Sequence, residues 1–353
     1  MQPFAFQAAR TVPEAASLTS TTVADAMLAD PTAAADSVVL KAGGIDLLDL
    51  MKEGLLRPGR IVNLREVPGL DTIVSDPNGV ADADGVRIGT LVTLAQLAVH
   101  PLLRQRYTAL ADAAGASASP QIRHVATLGG NLLQRPRCWY FRSAAHYCAR
   151  KGGDPCFAFV GENQYHAVFA QYGCAIVHPS TAATALVAFG ARVALANAQG
   201  APRSVPLAEF LVGPEVEMTR ENTMRANEVL TAVVLPAMPT GTLSAFLKAA
   251  EKPSFDWSIA DVAVVLDCAP DGRCQHAAVV LGAAAPIPWR ARQAEAALVG
   301  HMIDPDAARS AGKAAIAGAV PLTHNAYKLP ILAALVRRAV LQAGGIVDPE
   351  DAT

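Results

Sequence analysis

The chain has 353 residues, 52% of them hydrophobic and 17% charged, a length that allows about two or three domains with cores of their own. A net charge of −2 without a long basic run excludes the electrostatic footprint of a nucleic-acid binder. No window approaches the roughly 18 to 20 apolar residues of a membrane span. The opening MQPFAFQAARTVPEAASL lacks the charged segment and apolar run of a secretory signal, and six cysteines are too few for a disulfide framework. The expectation is a cytoplasmic protein whose thiols stay free for ligation.

Residues 1–57 read as a small α/β unit, because the β-prone run Ser37 to Leu40 is followed by IDLLDLMKEG with helical spacing. Between them lies Lys41-Ala42-Gly43-Gly44. A strand that runs through paired glycines into a helix brings backbone amides close to a phosphate, with no side chain in the way. The plainer reading is a tight turn, and the pattern is not the G-x-G-x-x-G dinucleotide fingerprint. RIVNL and GVRIGTLV then read as strands around a polar loop. Thr93 caps a short helix, TLAQLAVH, and one longer helix is expected after Pro101 through LLRQRYTALADAAG to Gly115. ASASPQIRHVATLGGN leads to the second glycine pair, Gly129-Gly130. Two such turns point to one shared phosphate-bearing ligand.

The next stretch holds Cys138, Cys148, Cys156 and Cys174 within 37 residues, four of the six cysteines. Thiols at that density in a loop-rich segment suit a metal or an iron–sulfur cluster. Structural zinc sites use tight C-x2-4-C pairs, and none is present; ferredoxin clusters also favour C-x2-C runs, so spacing alone leaves the choice open. Arg135, Arg137, Arg142, Arg150 and Lys151 either offset a cluster's negative charge or are solvated loop charges. His146, His166 and His178 are alternative ligands or ordinary hydrogen-bonding residues. Trp139, Tyr140 and Phe141 either shield a cluster or pack locally.

After Cys174 the expectation is a helix from about Thr181, a strand ARVALAN, and a strand NEVLTAVVLP stopped by Pro236, with a domain edge near 240. DVAVVLDCA and CQHAAVVLG flank the turn Pro270-Asp271-Gly272 as a hairpin, which sets Cys268 and Cys274 opposite each other as free thiols. RARQAEAALVG, PDAARSAGKAAIAGA and NAYKLPILAALVRRAVLQAGG are helical. This part reads as α+β, with fraying from Val347 onward.

The stretches KAGGIDLLDLMK, SASPQIRHVATLGGNLLQR, HPSTAATALVA, FLVGP with NEVLTAVVLP, and AFLKAA with DVAVVL resemble the FAD-binding subunit of the molybdenum hydroxylases, the group that includes xanthine dehydrogenase and carbon monoxide dehydrogenase. The cysteine-bearing insertion at about 135–177 is similar to that of the flavin subunit of bacterial three-subunit aldehyde oxidoreductases, which carries a [4Fe-4S] cluster. The resemblance implies an α+β chain with an FAD-binding fold of the vanillyl-alcohol-oxidase (PCMH) type. Its two α/β subdomains would span 1–57 and 58–240, the second with the insertion. A C-terminal α+β domain of the CO dehydrogenase flavoprotein type would follow over 241–346. It implies FAD contacts from Lys41, Ala42, Gly43, Gly44, Ile45, Asp46 and Leu47, and from Thr127, Leu128, Gly129, Gly130 and Asn131. Ser119 and Gln121 would lie in the adjoining loop, Ser180 near the flavin, Leu230 packed on it and Lys248 beside the ring. Cys138, Cys148, Cys156 and Cys174 would hold the cluster.

The partners implied are a [2Fe-2S] small subunit and a large subunit with the molybdenum cofactor, which sets the substrate. Electrons from aldehyde oxidation would pass through the [2Fe-2S] clusters to FAD and an external acceptor. Export in complex with a signal-bearing partner would place the protein in the periplasm. In two places the sequence departs from the family pattern: Thr181 stands where the family has Asp, and Ala250 and Lys252 stand where relatives carry arginines. The alternatives are the flavin subunit of another molybdenum hydroxylase (for a xanthine, N-heterocycle or aromatic acyl-CoA), a stand-alone flavin oxidase, and a zinc-binding scaffold.

Overall fold

A computed structural model describes residues 2–76, 85–348 and 350. Residues 77–84 of the expected polar loop, and 349 and 351–353 of the tail, lie outside the described residues. Among the described residues, three sheets organise the chain. In the first, β1 (Ala5–Ala8), β3 (Arg60–Asn63) and β2 (Val38–Lys41) run parallel in the order β1-β3-β2. β3 therefore completes this sheet from beyond the boundary expected at 57. The register sets Lys41 beside Asn63, so the strand ends that lead into the first glycine turn are level.

The second sheet has the order β4 (Ile73–Asp76), β5 (Gly85–Gly89), β8 (Glu228–Leu235), β6 (Arg192–Asn197), β7 (Pro202–Pro206), all antiparallel. β8 is central and buried along its whole length, and six of its eight residues are apolar rather than every second one. The helix expected over 101–115 is two helices, Pro101–Arg106 and Thr108–Gly115, broken at Tyr107 (φ −136°, ψ 50°). Burial of the Tyr107 ring and a hydrogen bond from its hydroxyl to Pro236 O at 2.7 Å hold the break. Helical pattern alone does not report such a tertiary contact.

The third sheet, β12 (Trp289–Arg290), β11 (Cys274–Gly282), β10 (Ala260–Cys268), β9 (Leu243–Ala249), is antiparallel and contains the expected hairpin. Side chains of β10 alternate in direction. Val262, Val264 and Leu266 join the core under the helices Arg292–Leu298, Pro305–Ala315 and Lys328–Ala343, whereas Ala263 and Val265 join the core of the five-stranded sheet. Between the two sheets lies the helix Thr181–Ala188, buried at every position. Its alanines keep it thin enough to fit there. The chain from 133 to 180 is mostly irregular, with one short helix, Trp139–Arg142, and two 3-10 turns. The tail is better anchored than expected: Val347 is exposed, but Asp348 is buried and ion-paired with Arg337.

Candidate FAD and cysteine sites

A cavity of about 450 Å³ opens where the first two sheets meet the third, within the size range of cofactor pockets. Its first wall is the turn after β2, and Lys41 to Leu47 all line it. Gly44 adopts φ +84° as it caps the helix Ile45–Lys52, a conformation that side chains oppose. Gly43 is required for packing: a Cβ there would lie 2.2 Å from Val125 O. The first glycine turn thus packs on the backbone of Val125 and Ala126, which lead into the second. The first N–H groups of a helix have no intrahelical acceptor, so the start of Ile45–Lys52 supplies the anion-binding end of the cavity. Lys41 Nζ donates to Ala42 O at 3.2 Å. Burial, assisted by Arg65, lowers its pKa.

The second turn works differently. Thr127, Gly129, Gly130 and Asn131 line the cavity, while Leu128 is buried in the core behind it. Its amides are already engaged: Leu128 N donates to Val92 O, Gly129 N to Thr90 O, Asn131 N to Thr127 O, and Gly130 N to Thr127 Oγ1 at 3.2 Å. Its contribution to a ligand is therefore close approach and the Asn131 side chain. Ser180 does not line the cavity. Its hydroxyl donates to Asn131 Oδ1 at 2.5 Å and accepts from Ala183 N at 3.0 Å, so it fixes Asn131 from behind. Thr181, at the position of the family's Asp, does line the cavity, but its hydroxyl donates inward to Ala113 O at 2.9 Å.

Ser119 caps the short helix Pro120–Arg123, and Gln121 is exposed; neither lines the cavity, whereas their neighbours Ser117, Ala118 and Ile122 do. Ala118 has φ +44°, an uncommon conformation for a residue with a Cβ, held by Arg123 Nη1 on Ala118 O at 2.7 Å. Leu230 and Lys248 line the cavity too. Lys248 Nζ donates to Ala116 O at 2.9 Å and Asp256 O at 2.6 Å, which ties β9 to the 116–118 loop. Burial lowers its pKa, opposed by Asp261 and Asp256. Thr22, most of the segment 220–226 and Trp257 line the cavity too, although nothing in the sequence marks them. Trp257 lies under the Arg137 guanidinium, 4.5 Å from ring to cation. An exposed tryptophan four residues after Pro253 gives no sequence signal of that contact.

Cys138, Cys148, Cys156 and Cys174 surround one second cavity, of about 10 Å³, together with Arg150 and His166. All four are free thiols, as are Cys268 and Cys274 across the hairpin. Burial pushes Cys138 up to about 11. Cys174 is held below the ordinary thiol range by a hydrogen bond from Cys156 and by the Arg150 guanidinium, and Cys156 rises correspondingly. His166 Nε2 is 3.2 Å from Cys138 Sγ; burial, then Lys328, lowers its pKa to about 4. Tyr140 stacks on Phe157 and Phe141 is buried at the cavity wall. Among the described residues no three His, Cys, Asp or Glu side chains close around a single metal ion.

The arginines of this loop are not solvated charges. Asp46, expected to touch FAD, accepts from Arg142 Nη2 at 2.6 Å and from Arg135 N at 2.8 Å, and pairs with Arg137 Nη2 at 2.7 Å. Lys151 Nζ donates to Ser143 O at 2.6 Å. Of the five cations, only Arg150 lines the cysteine cavity.

Residues 4–238 match the family model "FAD binding domain in molybdopterin dehydrogenase", and residues 245–343 match "CO dehydrogenase flavoprotein C-terminal domain". The chain is 35% identical to the aldehyde oxidoreductase FAD-binding subunit PaoB of Escherichia coli, over 86% of this chain and 91% of that protein. It is 27% identical to the carbon monoxide dehydrogenase medium chain of Hydrogenophaga pseudoflava, over 85% and 87%. The solved carbon monoxide dehydrogenase from Hydrogenophaga pseudoflava matches with a TM-score of 0.69 at 27% identity, over 98% of this chain and 99% of that chain. The paired glycine turns, the cavity between them and these likenesses agree: the chain belongs to the family of FAD-binding medium subunits of molybdopterin-dependent dehydrogenases and is an oxidoreductase subunit.

Proposed function

We propose that this chain is the FAD- and [4Fe-4S]-carrying electron-transfer subunit of an aldehyde-oxidising molybdenum hydroxylase, working with a [2Fe-2S] small subunit and a molybdenum-cofactor large subunit. The observation that carries the reading is the convergence of four loosely spaced cysteines on one buried cavity beside the larger one. Four thiols with a buried cation are the donor chemistry of a cubane rather than of a catalytic ion. The 35% identity to an aldehyde oxidoreductase subunit favours that substrate class. The division into two FAD-binding subdomains and a C-terminal domain from 241 belongs to the same reading.

FAD, when bound, supplies two-electron storage with one-electron exchange. The chain's residues hold and orient it. The start of Ile45–Lys52 binds the pyrophosphate through free backbone N–H groups, Gly129 and Gly130 let it approach the backbone, Ser180 aims Asn131, and Leu230 packs against the ring. Lys248 presents a cation with two of its three N–H groups bonded to carbonyls, which leaves its charge and one N–H to act on the ring.

Anaerobic purification with co-purifying partners, followed by absorption spectra and iron, molybdenum and zinc analysis, tests the proposal. The expected result is flavin, molybdenum and more iron than two [2Fe-2S] clusters hold. A colourless preparation with zinc and no flavin would sink it. Cys156→Ser should remove iron–sulfur absorption assigned to this chain and leave the flavin bands. Unchanged iron would exclude Cys156 as a ligand.

A further inference from the structure

The two cavities share one chain of buried ion pairs. Glu221 Oε1 accepts from Arg150 Nη1 at 2.7 Å and from Arg135 Nη2 at 3.2 Å, and Oε2 lies 2.9 Å from Arg135 Nε as an ion pair. Arg150, Arg135 and Glu221 are 1%, 3% and 4% exposed. Arg135 and Glu221 line the large cavity, and Arg150 lines the cysteine cavity. One further N–H of each arginine goes to a backbone carbonyl: Arg135 Nη2 to Thr219 O at 2.9 Å, Arg150 Nη1 to Arg220 O at 3.1 Å. Arg150 Nε and Nη2 remain buried without a nitrogen or oxygen acceptor, and the guanidinium faces the Cys174 thiol, which it holds toward its ionised form.

Unpaired donors on a buried cation are costly, and a fold keeps them where an acceptor completes the site. The polar groups that share this cavity with Arg150 are the four thiols and the His166 imidazole, whose Nε2 is turned to Cys138 Sγ at 3.2 Å. An anionic iron–sulfur group held by those thiols accepts hydrogen bonds at its sulfurs, and such bonds, like nearby positive charge, favour its more negative, reduced form. The triad carries one net positive charge, two cations against one carboxylate. Glu221 holds the guanidinium in place and also moderates its charge.

We infer that Arg150 is the donor that sets the reduction potential of the cluster held by Cys138, Cys148, Cys156 and Cys174, with Glu221 as the positioning residue, an inference that rests on the cluster reading above. The two residues have opposite electrostatic signs. Arg150→Met therefore lowers the potential, whereas Glu221→Gln, which leaves both arginines uncompensated, raises it. Loosening of the loop alone has no reason to reverse sign between the two variants.

The test is a dithionite redox titration of the anaerobically purified complex, followed by electron paramagnetic resonance of the reduced cluster, with iron and flavin counted in each sample. At a poise equal to the unmodified midpoint, Arg150→Met should raise the oxidised-to-reduced ratio about tenfold, equivalent to about 59 mV for a one-electron couple. Glu221→Gln should lower it, and Arg150→Lys should fall between Met and the native protein. Full iron content with an unmoved midpoint in Arg150→Met overturns this inference and leaves the cluster reading standing. Shifts of the same sign in Arg150→Met and Glu221→Gln overturn it too. Loss of iron from both variants also overturns it, because the triad would then be scaffold rather than tuning element. Lack of cluster iron in the native complex overturns the reading beneath it.

Discussion

At Gly43 the absence of a side chain is itself the contact, since Val125 O occupies the place a Cβ would take. Gly43→Ala must push the two glycine turns apart, and backbone cannot yield as a flexible side chain can. The expected cost is about 1–3 kcal/mol, with FAD content of the purified protein falling below one per chain; full flavin occupancy at unchanged stability would refute it. Turn glycines leave a mark in the sequence because few other residues can replace them, and both pairs were legible for that reason. Ser119 and Gln121 do not line the cavity although their neighbours do, because the path of the loop, which the sequence does not mark, decides which side chains reach it. His178 shows a residue-scale effect of another kind. It is buried, its Nε2 has no partner, and burial lowers its pKa to about 4, against about 6.5 unfolded. Its neutral form favours folding fully above pH 6.5, and that contribution is lost as pH falls toward 4, on the order of 3 kcal/mol in all. Denaturant unfolding of His178→Gln should show a shallower loss of stability than the native chain between pH 6.5 and 4; parallel curves would discount His178.

At the scale of elements, the helix Ile45–Lys52 serves two sites at once. Its first turn lines the large cavity, and Asp46 and Asp49 on it bind the arginines of the cysteine loop. A helix anchored by Gly44 on one side and by three arginines on the other has little freedom to shift. Asp46→Asn keeps an acceptor for Arg135 N but removes the charge facing Arg137 and Arg142, which should cost about 2 kcal/mol. Proteolysis in the 138–178 loop should quicken in that variant, and an unchanged cleavage rate would show that Asp49 and Glu53 suffice. The helix, the strands and the β10–β11 hairpin were readable because periodicity and turn residues are local signals. The break at Tyr107 was not, because its cause is a carbonyl 129 residues away.

Across the whole molecule, the C-terminal part also holds the cysteine loop. Lys328 Nζ donates to His166 O at 2.9 Å and Ala283 O at 2.5 Å, and Asn325 Nδ2 donates to His166 O and Ala167 O. Spacing between cysteines carries no trace of such stitching, so the sequence alone does not show that these four thiols share one cavity. Lys328 is fully buried, and burial pushes its pKa down to about 7, opposed by Asp261; unfolded, it returns to about 10.4. Its neutral, hydrogen-bonded form contributes fully above the unfolded value, and that contribution is lost as pH falls to about 7, on the order of a few kcal/mol. Lys328→Met lacks this term and also leaves two carbonyls unpaired. At pH 10 the native chain should therefore be the more stable by thermal unfolding, with its advantage shrinking steadily toward pH 7. Hydrogen exchange at 163–168 should be faster in the variant at every pH, because the stitch itself is gone. A stability difference flat from pH 10 to 7 would mean that Lys328 stays charged in the fold, and that its bonds to His166 and Ala283 outweigh its burial.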